Sequence, residues 1–426
     1  MKKPKFQSPT GMHDVLPEDQ KYFQKIYEVC QDIVNFYGFQ KIETPILEET
    51  ELFSKGIGLA TDIVGKQMFT LRTKGGDYLT LRPEGTAPLV RAYIEHGMQN
   101  LPQPVKLWYF GPYFRYEHPQ LGRFRQFWQF GFEVLGEENS VLDAQIIQIF
   151  YNILRKLKLE NLIVEINSIG DSQCRPYYKK LLASYFRSRE SAFCFDCRRR
   201  LRENPLRILD CKEEKCQQIR AQAPQILDHL CENCHQHFKE VLEFLDELEL
   251  PYHLNPYLVR GLDYYTKTVF EIVEDSPEGK VQGALAGGGR YDTLVKLLGG
   301  GEAPAVGGAG GVERIIQLMK TKAIRFPKER VAEVFLAQLG DLAKRKSLKL
   351  IEDFREAEIL VKESLGRDSL KAQLKTADRG GAKYTLILGQ KEALEGNIII
   401  RNMQSGEQET IKLERVMGEM KKRLKK

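Results

Sequence analysis

No apolar run in the 426 residues approaches the roughly 20 residues that a membrane-spanning helix needs. Met1-Lys2-Lys3-Pro4-Lys5-Phe6 lacks the apolar segment of a secretory signal, so a cytoplasmic address is expected. There is no G-x-x-x-x-G-K-[ST] sequence, so any nucleotide is not held by a P-loop. H-E-x-x-H is missing too, no Ser/His/Asp order stands out, and the seven histidines form no catalytic pattern. Neither an internal repeat nor a low-complexity tract is present. What remains, 42% hydrophobic and 29% charged residues, describes a soluble globular chain of roughly two to four domains.

The charge is unevenly placed. Residues 330–426 hold 21 Lys and Arg against 15 Asp and Glu, which accounts for the whole net charge of +6. A basic C-terminal module suits an acidic partner such as nucleic acid. A solvated basic tail, Lys421-Lys422-Arg423-Leu424-Lys425-Lys426, explains the surplus equally well.

Amphipathic spacing at Ile26, Cys30, Ile33, Val34 and Tyr37 predicts a helix ended by Gly38. Phe39–Glu48 reads as a strand broken by Pro45, followed by strands at Met68–Leu71 and Tyr78–Leu81 and a helix from Ala87 to His96. Helices around 141–157 and a strand at Leu162–Ile166 come next. Residues 170–245 are helical, charged and rich in cysteine, and read as an insertion. Strands resume near Leu258 and continue through the glycine-rich 283–311 region, a boundary falls near Phe326-Pro327, and the last hundred residues alternate strand and helix as an α/β module.

The segment Phe114-Arg115-Tyr116-Glu117, then a turn-rich loop, then Arg123 to Glu133 reads as a hairpin. Period-two alternation sends Phe124, Trp128, Phe130, Phe132 and Val134 to one face. Arg115, Glu117, Arg125, Phe127, Gln129 and Glu133 fall on the other. An edge hairpin with a wet polar face would carry scattered Lys, Ser and Thr. The observed set of Arg, Glu, Gln and Phe is better suited to a charged planar ligand, with Arg giving forked contacts to phosphate.

Arg260-Gly261-Leu262-Asp263-Tyr264-Tyr265 gathers an arginine, an acid and two tyrosines on one strand-like stretch, where tyrosines are also ordinary strand formers. The glycine-rich runs Ala286–Arg290 and Gly307–Gly311 read mostly as turns, the second leading into a helix that begins near Arg314. Cys194-Phe195-Asp196-Cys197 and Cys231-Glu232-Asn233-Cys234 are paired C-x-x-C knuckles. Such knuckles signal one tetrahedral structural zinc, with disulfides the weaker reading. The expected ligands are Cys194, Cys197, Cys231 and Cys234, with Cys211 and Cys216 as substitutes.

Together these segments resemble the histidyl-tRNA synthetases, a class II aminoacyl-tRNA synthetase family. Thr10–Pro17 resembles the family's opening, Gly38–Glu49 class II motif 1, Phe114–Glu133 motif 2 and Gly307–Arg314 motif 3. Thr80-Leu81-Arg82-Pro83-Glu84-Gly85-Thr86 and Arg260–Tyr265 resemble signatures of the histidine enzyme. Gly366–Lys371 and Gly381–Gly389 resemble its anticodon-binding module. Motif 3 departs from the usual pattern at Gly308 and Gly310, where the family carries bulkier apolar residues.

The resemblance implies an α+β fold: a class II antiparallel sheet flanked by helices, with a helical insertion and a C-terminal α/β anticodon-binding domain. The implied spans are 1–169 and 246–326 for the catalytic domain, 170–245 for the cysteine-rich insertion and 330–426 for the anticodon-binding domain. It implies a homodimer joined through motif 1, and L-histidine, ATP with Mg2+, and tRNA(His) as reactants and partners. Arg115 and Arg260 would act on the α-phosphate, Glu117 and Phe127 would hold adenine, and Arg123 and Arg314 the γ-phosphate. Glu84, Gly85, Thr86 and Gln129 would meet the substrate's α-amino end. Glu133 and Tyr265 would read the imidazole nitrogens, with Tyr264 lining the pocket. The rival reading is a synthetase-like regulatory subunit of ATP phosphoribosyltransferase, which typically lacks the anticodon module and erodes the Arg260 segment; both are present here.

Overall fold

The structure is a computed structural model describing residues 5–59, 61–120, 122–275, 283–324, 326 and 332–424. Residues 1–4, Leu121 of the expected hairpin turn, Pro327 of the expected boundary, Arg330, and Lys425 and Lys426 of the basic tail lie outside the described residues. The chain divides into two compact units, Met1–Ile324 and Arg325–Lys426. Among the described residues no helix is long and apolar enough to cross a membrane.

The first unit contains β1 (Gln40–Lys41), β2 (Leu47–Glu49), β3 (Phe69–Arg72), β4 (Tyr78–Leu81), β5 (Val105–Phe114) and β6 (Gln126–Leu135). It continues with β7 (Leu162–Ser168), β8 (Tyr252–Leu254), β9 (Thr266–Glu274), β10 (Ala286–Arg290) and β11 (Ala305–Gly311). Eight strands form one sheet in the order β1-β5-β6-β11-β10-β9-β7-β8. Its interior pairs are antiparallel, and the short edge strands β1 and β8 pair in parallel. Strands β2, β4 and β3 make a separate small sheet. The stretch 39–48 thus gives two short strands in different sheets, divided at Pro45, which cannot donate to a ladder.

The helix Val141–Lys156 is buried along much of its length because Leu142, Ile146, Ile149, Phe150 and Ile153 recur at helical spacing. Its Phe150 ring sits 5.9 Å from Phe130, 4.9 Å from Phe132 and 6.1 Å from Phe270, so the even-numbered side chains of β6 face this helix. The expected apolar parity is therefore the core parity.

Strands do continue through the glycine-rich 283–311 region, as expected, and the glycines of both runs are strand residues rather than turns. Gly287, Gly288 and Gly289 lie within β10, and Gly307, Gly308, Gly310 and Gly311 within β11, at the centre of the sheet. Space is the reason: a Cβ on Gly288 would fall 2.0 Å from the Gly307 carbonyl oxygen. A Cβ on Gly310 would fall 2.3 Å from the Phe130 ring, which occupies the room that a larger residue would take.

In residues 170–245 the helices Arg175–Arg187, Phe195–Glu203 and Glu214–Arg220 surround a small core that includes Tyr178, Leu182, Phe186, Phe193, Leu201 and Ile208, while the helix Glu232–Glu247 packs against the helix Val141–Lys156 and β9.

The second unit has β12 (Val334–Gln338), β13 (Val361–Glu363), β14 (Tyr384–Leu388), β15 (Asn397–Asn402) and β16 (Gln408–Lys412), ordered β13-β12-β14-β15-β16. The first three strands run parallel, as the alternation with helices Asp341–Glu356 and Leu370–Arg379 requires. The edge strand β16 has no counterpart among the expected elements. Its Gln408-Glu409-Thr410 run is polar and exposed, and pairing with β15 alone defines it.

Candidate active site

Strands β5 and β6 pair in register from Val105–Leu135 to Phe114–Gln126. One further rung, from the Arg115 N–H to the Arg125 carbonyl at 2.9 Å, follows the last strand pair. Beyond it both chains leave the sheet, so Arg115, Glu117 and Arg123 stand at the mouth of the hairpin rather than within its strands. A cavity of about 220 Å³ opens on the odd-numbered face. Arg115, Glu117, Phe127 and Gln129 line it, as the parity expected. Arg125 shares that parity but leaves the face. It lies past the strand end, where its guanidinium stacks 3.8 Å from the Tyr116 ring centroid and its Nε donates to the Glu117 carbonyl.

The opposite wall comes from Arg260, Tyr264 and Tyr265. This stretch is irregular chain before β9, not a strand. The reason is geometric. Consecutive strand residues point to opposite faces, whereas Tyr264 and Tyr265 both face the cavity with ring centroids 4.7 Å apart. The Asp263 N–H is instead bonded to the Ile57 carbonyl. Arg260 pairs with Glu271, and its Nε, although buried, has no hydrogen-bond partner among the described residues.

At the cavity floor the helix Thr86–Glu95 begins with Glu84 capping it. One carboxylate oxygen accepts from Thr86 N–H at 2.7 Å, the other from Ala87 N–H at 2.8 Å. Tyr264 Oη donates to the same carboxylate at 3.3 Å. Burial raises the Glu84 pKa in spite of these donors. Gly85 lines the cavity because a side chain there would strike Tyr109, whose ring lies 2.5 Å from the Cβ position.

Glu133 stands just behind the lining. Tyr291 Oη donates to it at 2.6 Å, Thr86 Oγ1 at 2.8 Å and Tyr109 Oη at 3.3 Å. Full burial, reinforced by the nearby Glu84, pushes its pKa up to about 8 despite those three hydroxyls.

The outer rim carries Arg123, ion-paired with Glu117 at 3.6 Å, and Arg314. Arg314 sits in the first turn of the helix Val312–Thr321 and donates to the Gly122 and Ala284 carbonyls. Its pKa is lowered by burial and by Arg123 beside it, and burial also lowers that of Arg115. Arg115, Arg123, Arg260 and Arg314 share the cavity with Glu84, Glu117, Glu271 and Glu313, and the four guanidinium groups offer the forked donors that phosphate oxygens accept.

Several participants were not picked out from the sequence. Glu271 faces Arg260, Glu313 accepts two bonds from the Trp128 N–H, and Tyr109 and Tyr291 hold Glu133. Burial carries Glu313 to about 7. Asp62, adjacent to the lining residue Ile63, gathers Arg199, Arg200 and Arg207 from the cysteine-rich segment. The 2-residue alternation around Glu271 in β9 is the signal that marks its face; the others become visible only when strands pair.

The two cysteine knuckles do not converge on one ion. Cys194, Cys197, Cys211 and Cys216 form one cluster, and Cys231 and Cys234 belong to another with Asp171 and Cys174. Within each cluster all ligand atoms lie within 4.8 Å of one another. Each knuckle opens a different helix, Phe195–Glu203 or Glu232–Glu247, so the partners come from the nearest helix ends rather than from the other knuckle.

A family model described as histidyl-tRNA synthetase matches residues 11–171 and 198–315, and one described as anticodon binding domain matches residues 333–423. A histidine–tRNA ligase of Dehalococcoides mccartyi is 45% identical over 98% of this chain and 100% of its own length. One from Halothermothrix orenii is 46% identical over 97% and 99%. Among solved structures, apo histidyl-tRNA synthetase of S. aureus superimposes with a TM-score of 0.79 at 38% identity, covering 97% of this chain and 99% of that one. The Nostoc histidyl-tRNA synthetase, at 22% identity and a TM-score of 0.65, shares the fold.

Proposed function

The chain belongs to the histidyl-tRNA synthetase family, and from that premise we propose that it is a histidine–tRNA ligase acting in the cytoplasm as a homodimer. A histidine carboxylate oxygen attacks the ATP α-phosphorus, the bond to the β-bridging oxygen breaks, and histidyl-adenylate and pyrophosphate result. A terminal ribose hydroxyl of tRNA(His) then attacks the acyl carbon, and AMP leaves. Neither step needs a protein nucleophile, which suits a cavity furnished with arginines.

In this reading Arg115 and Arg260 flank the α-phosphate and stabilise the charge that builds there. The unpartnered Nε of Arg260 supports that role. Phe127 stacks on adenine and Glu117 meets its edge, while Arg123 and Arg314 hold the γ-phosphate end. Glu84, Gly85, Thr86 and Gln129 receive the α-amino group. Tyr265 and Glu133 read the imidazole nitrogens, Glu133 acting from behind Thr86 and Tyr109, and Tyr264 closes the pocket. Such buried polar readout rejects analogues without ring nitrogens, because unmatched polar groups are costly. The Glu271 carboxylate at the cavity would suit Mg2+, which would neutralise phosphate charge when bound.

The catalytic domain spans 1–169 and 246–326, the insertion 170–245, and the basic unit 330–426 binds the anticodon. The cluster Cys194, Cys197, Cys211 and Cys216 holds a structural zinc, a four-thiolate set that fits tetrahedral coordination. The observation carrying the function is that residues distant in sequence, from Glu84 to Arg314, line one cavity that sets four arginines beside four glutamates.

The test is exchange of labelled pyrophosphate into ATP, with histidine and each other amino acid offered separately. Exchange with histidine alone is expected. A folded protein that exchanges with none would instead favour the regulatory-subunit reading.

A further inference from the structure

Asp171, Cys174, Cys231 and Cys234 come together where the cysteine-rich segment leaves the sheet and where it returns to it. Asp171 follows β7, Cys174 is the N-cap of the helix Arg175–Arg187, and Cys231 is the N-cap of the helix Glu232–Glu247. Cys174 Sγ lies 3.5 Å and Cys231 Sγ 3.9 Å from Asp171 Oδ1, spacings that suit ligands sharing one tetrahedral ion. Cys174 and Cys234 are buried, whereas Cys231 and Asp171 are half-buried, which leaves an ion a way in.

A carboxylate that merely caps a helix accounts for part of this. Asp171 Oδ1 accepts from the Gln173 and Cys174 N–H groups at 2.8 and 3.4 Å. Capping does not account for three thiols gathered on that carboxylate from both ends of the segment. Nor does it account for Gly170, which has φ +64°, and where a Cβ would fall 2.4 Å from Cys174 Sγ. The backbone is thus shaped to admit that sulfur.

We propose that Asp171, Cys174, Cys231 and Cys234 form a second structural zinc site, separate from the four-cysteine cluster, that fastens the base of the segment to the sheet. The same site fixes Arg175, a positioning residue. Its guanidinium donates to the Ile169 carbonyl at 3.2 Å, the Gly170 carbonyl at 2.8 Å and the Tyr265 carbonyl at 2.7 Å. Through that last bond the metal site braces the backbone of a residue that lines the cavity. The metal site itself stands independently of the ligase reading; only the bracing effect is read through activity.

The experiment measures zinc by elemental mass spectrometry on the full-length, tag-free chain grown with zinc. A zinc-to-chain ratio of about two is expected, falling to about one in Cys231→Ser and, independently, to about one in Cys216→Ser. A ratio of about one that Cys231→Ser leaves unchanged would overturn the site, as would a disulfide among Cys174, Cys231 and Cys234 in freshly prepared protein. Should Cys231→Ser fail to fold, Co2+ titration of the metal-stripped wild-type chain decides the matter. Thiolate-to-cobalt bands saturating at about two equivalents support the site, and saturation at about one opposes it. For the bracing effect, loss of this zinc is expected to raise KM for histidine about tenfold while KM for ATP and kcat hold. An unchanged KM for histidine in zinc-depleted Cys231→Ser would remove Arg175 from its positioning role.

Discussion

Strands β5 and β6 and the segment 170–245 both present functional side chains, but they fix them by different means. In the hairpin the ladder itself sets each side chain's direction, and the strands lie inside an eight-stranded sheet with Phe130 and Phe132 packed on Phe150. In the segment most of the thiols sit at helix starts, where direction depends on how separate helices pack. The first arrangement stays rigid without any added group, whereas the second gathers thiols whose close approach an ion would reward. A sheet can therefore carry polar readout on one face, while small helical segments rely on cross-linking.

The largest effect expected is at the hairpin mouth and its facing wall. Arg115→Ala or Arg260→Ala should lower histidine-dependent pyrophosphate exchange by about 10²-fold to 10³-fold or more, with an unchanged circular dichroism spectrum. Near-normal exchange in either variant would remove that arginine from the chemistry.

Cys216→Ser is next and should separate the two regions. Loss of that cluster's zinc should destabilise the segment by on the order of several kcal/mol. Limited proteolysis should then cut within 190–220 early, while hydrogen exchange in β5 and β6 stays protected. Simultaneous loss of protection in both would mean that the regions are not independent.

Glu133 tests what rigid burial does to charge. Its folded pKa of about 8 exceeds the ordinary 4.5, so between these values the folded chain keeps a proton that the unfolded chain has released. Stability from this group is full below that window and falls as pH rises through it, by roughly 1.4 kcal/mol per pH unit at most. Melting temperatures of Glu133→Gln should decline less between pH 6 and pH 8 (roughly the upper half of the window) than those of wild type. Parallel declines would assign the pH dependence to other groups.

The smallest effect concerns packing behind the hairpin. Gly310→Leu should cost about 1–3 kcal/mol by overpacking against Phe130, read as a lowered denaturation midpoint. Adding Phe130→Ala should recover part of the loss, and no recovery would mean that the strain lies elsewhere.

How far the sequence could be read follows the same divide. The placement of Phe127 and Gln129 on the cavity, and of Phe130 and Phe132 in the core, was legible because alternation in a strand fixes facing locally. Arg125 escaped that rule at the first residue beyond the ladder. Tyr264 and Tyr265 have strand propensity, but tertiary packing holds them in irregular chain so that both meet the cavity. Strands through the glycine-rich region were legible, but the reason for the glycines was not, because composition reports glycine's freedom and says nothing of a neighbouring strand only 2.0 Å from a Cβ position. Cys174 carried no knuckle spacing, and Asp171 looked like any capping acid.

By itself the sequence determined the α+β class, the family, the strand faces of motif 2 and the arginines suited to phosphate, since periodicity and local motifs are properties of neighbouring residues. Only the tertiary structure decided that Glu133 sits behind the cavity wall under three hydroxyls, that Glu271 answers Arg260, and that the cysteines divide into two clusters. Those outcomes depend on which distant segments pack together, and the burial created by that packing sets the charge each group carries.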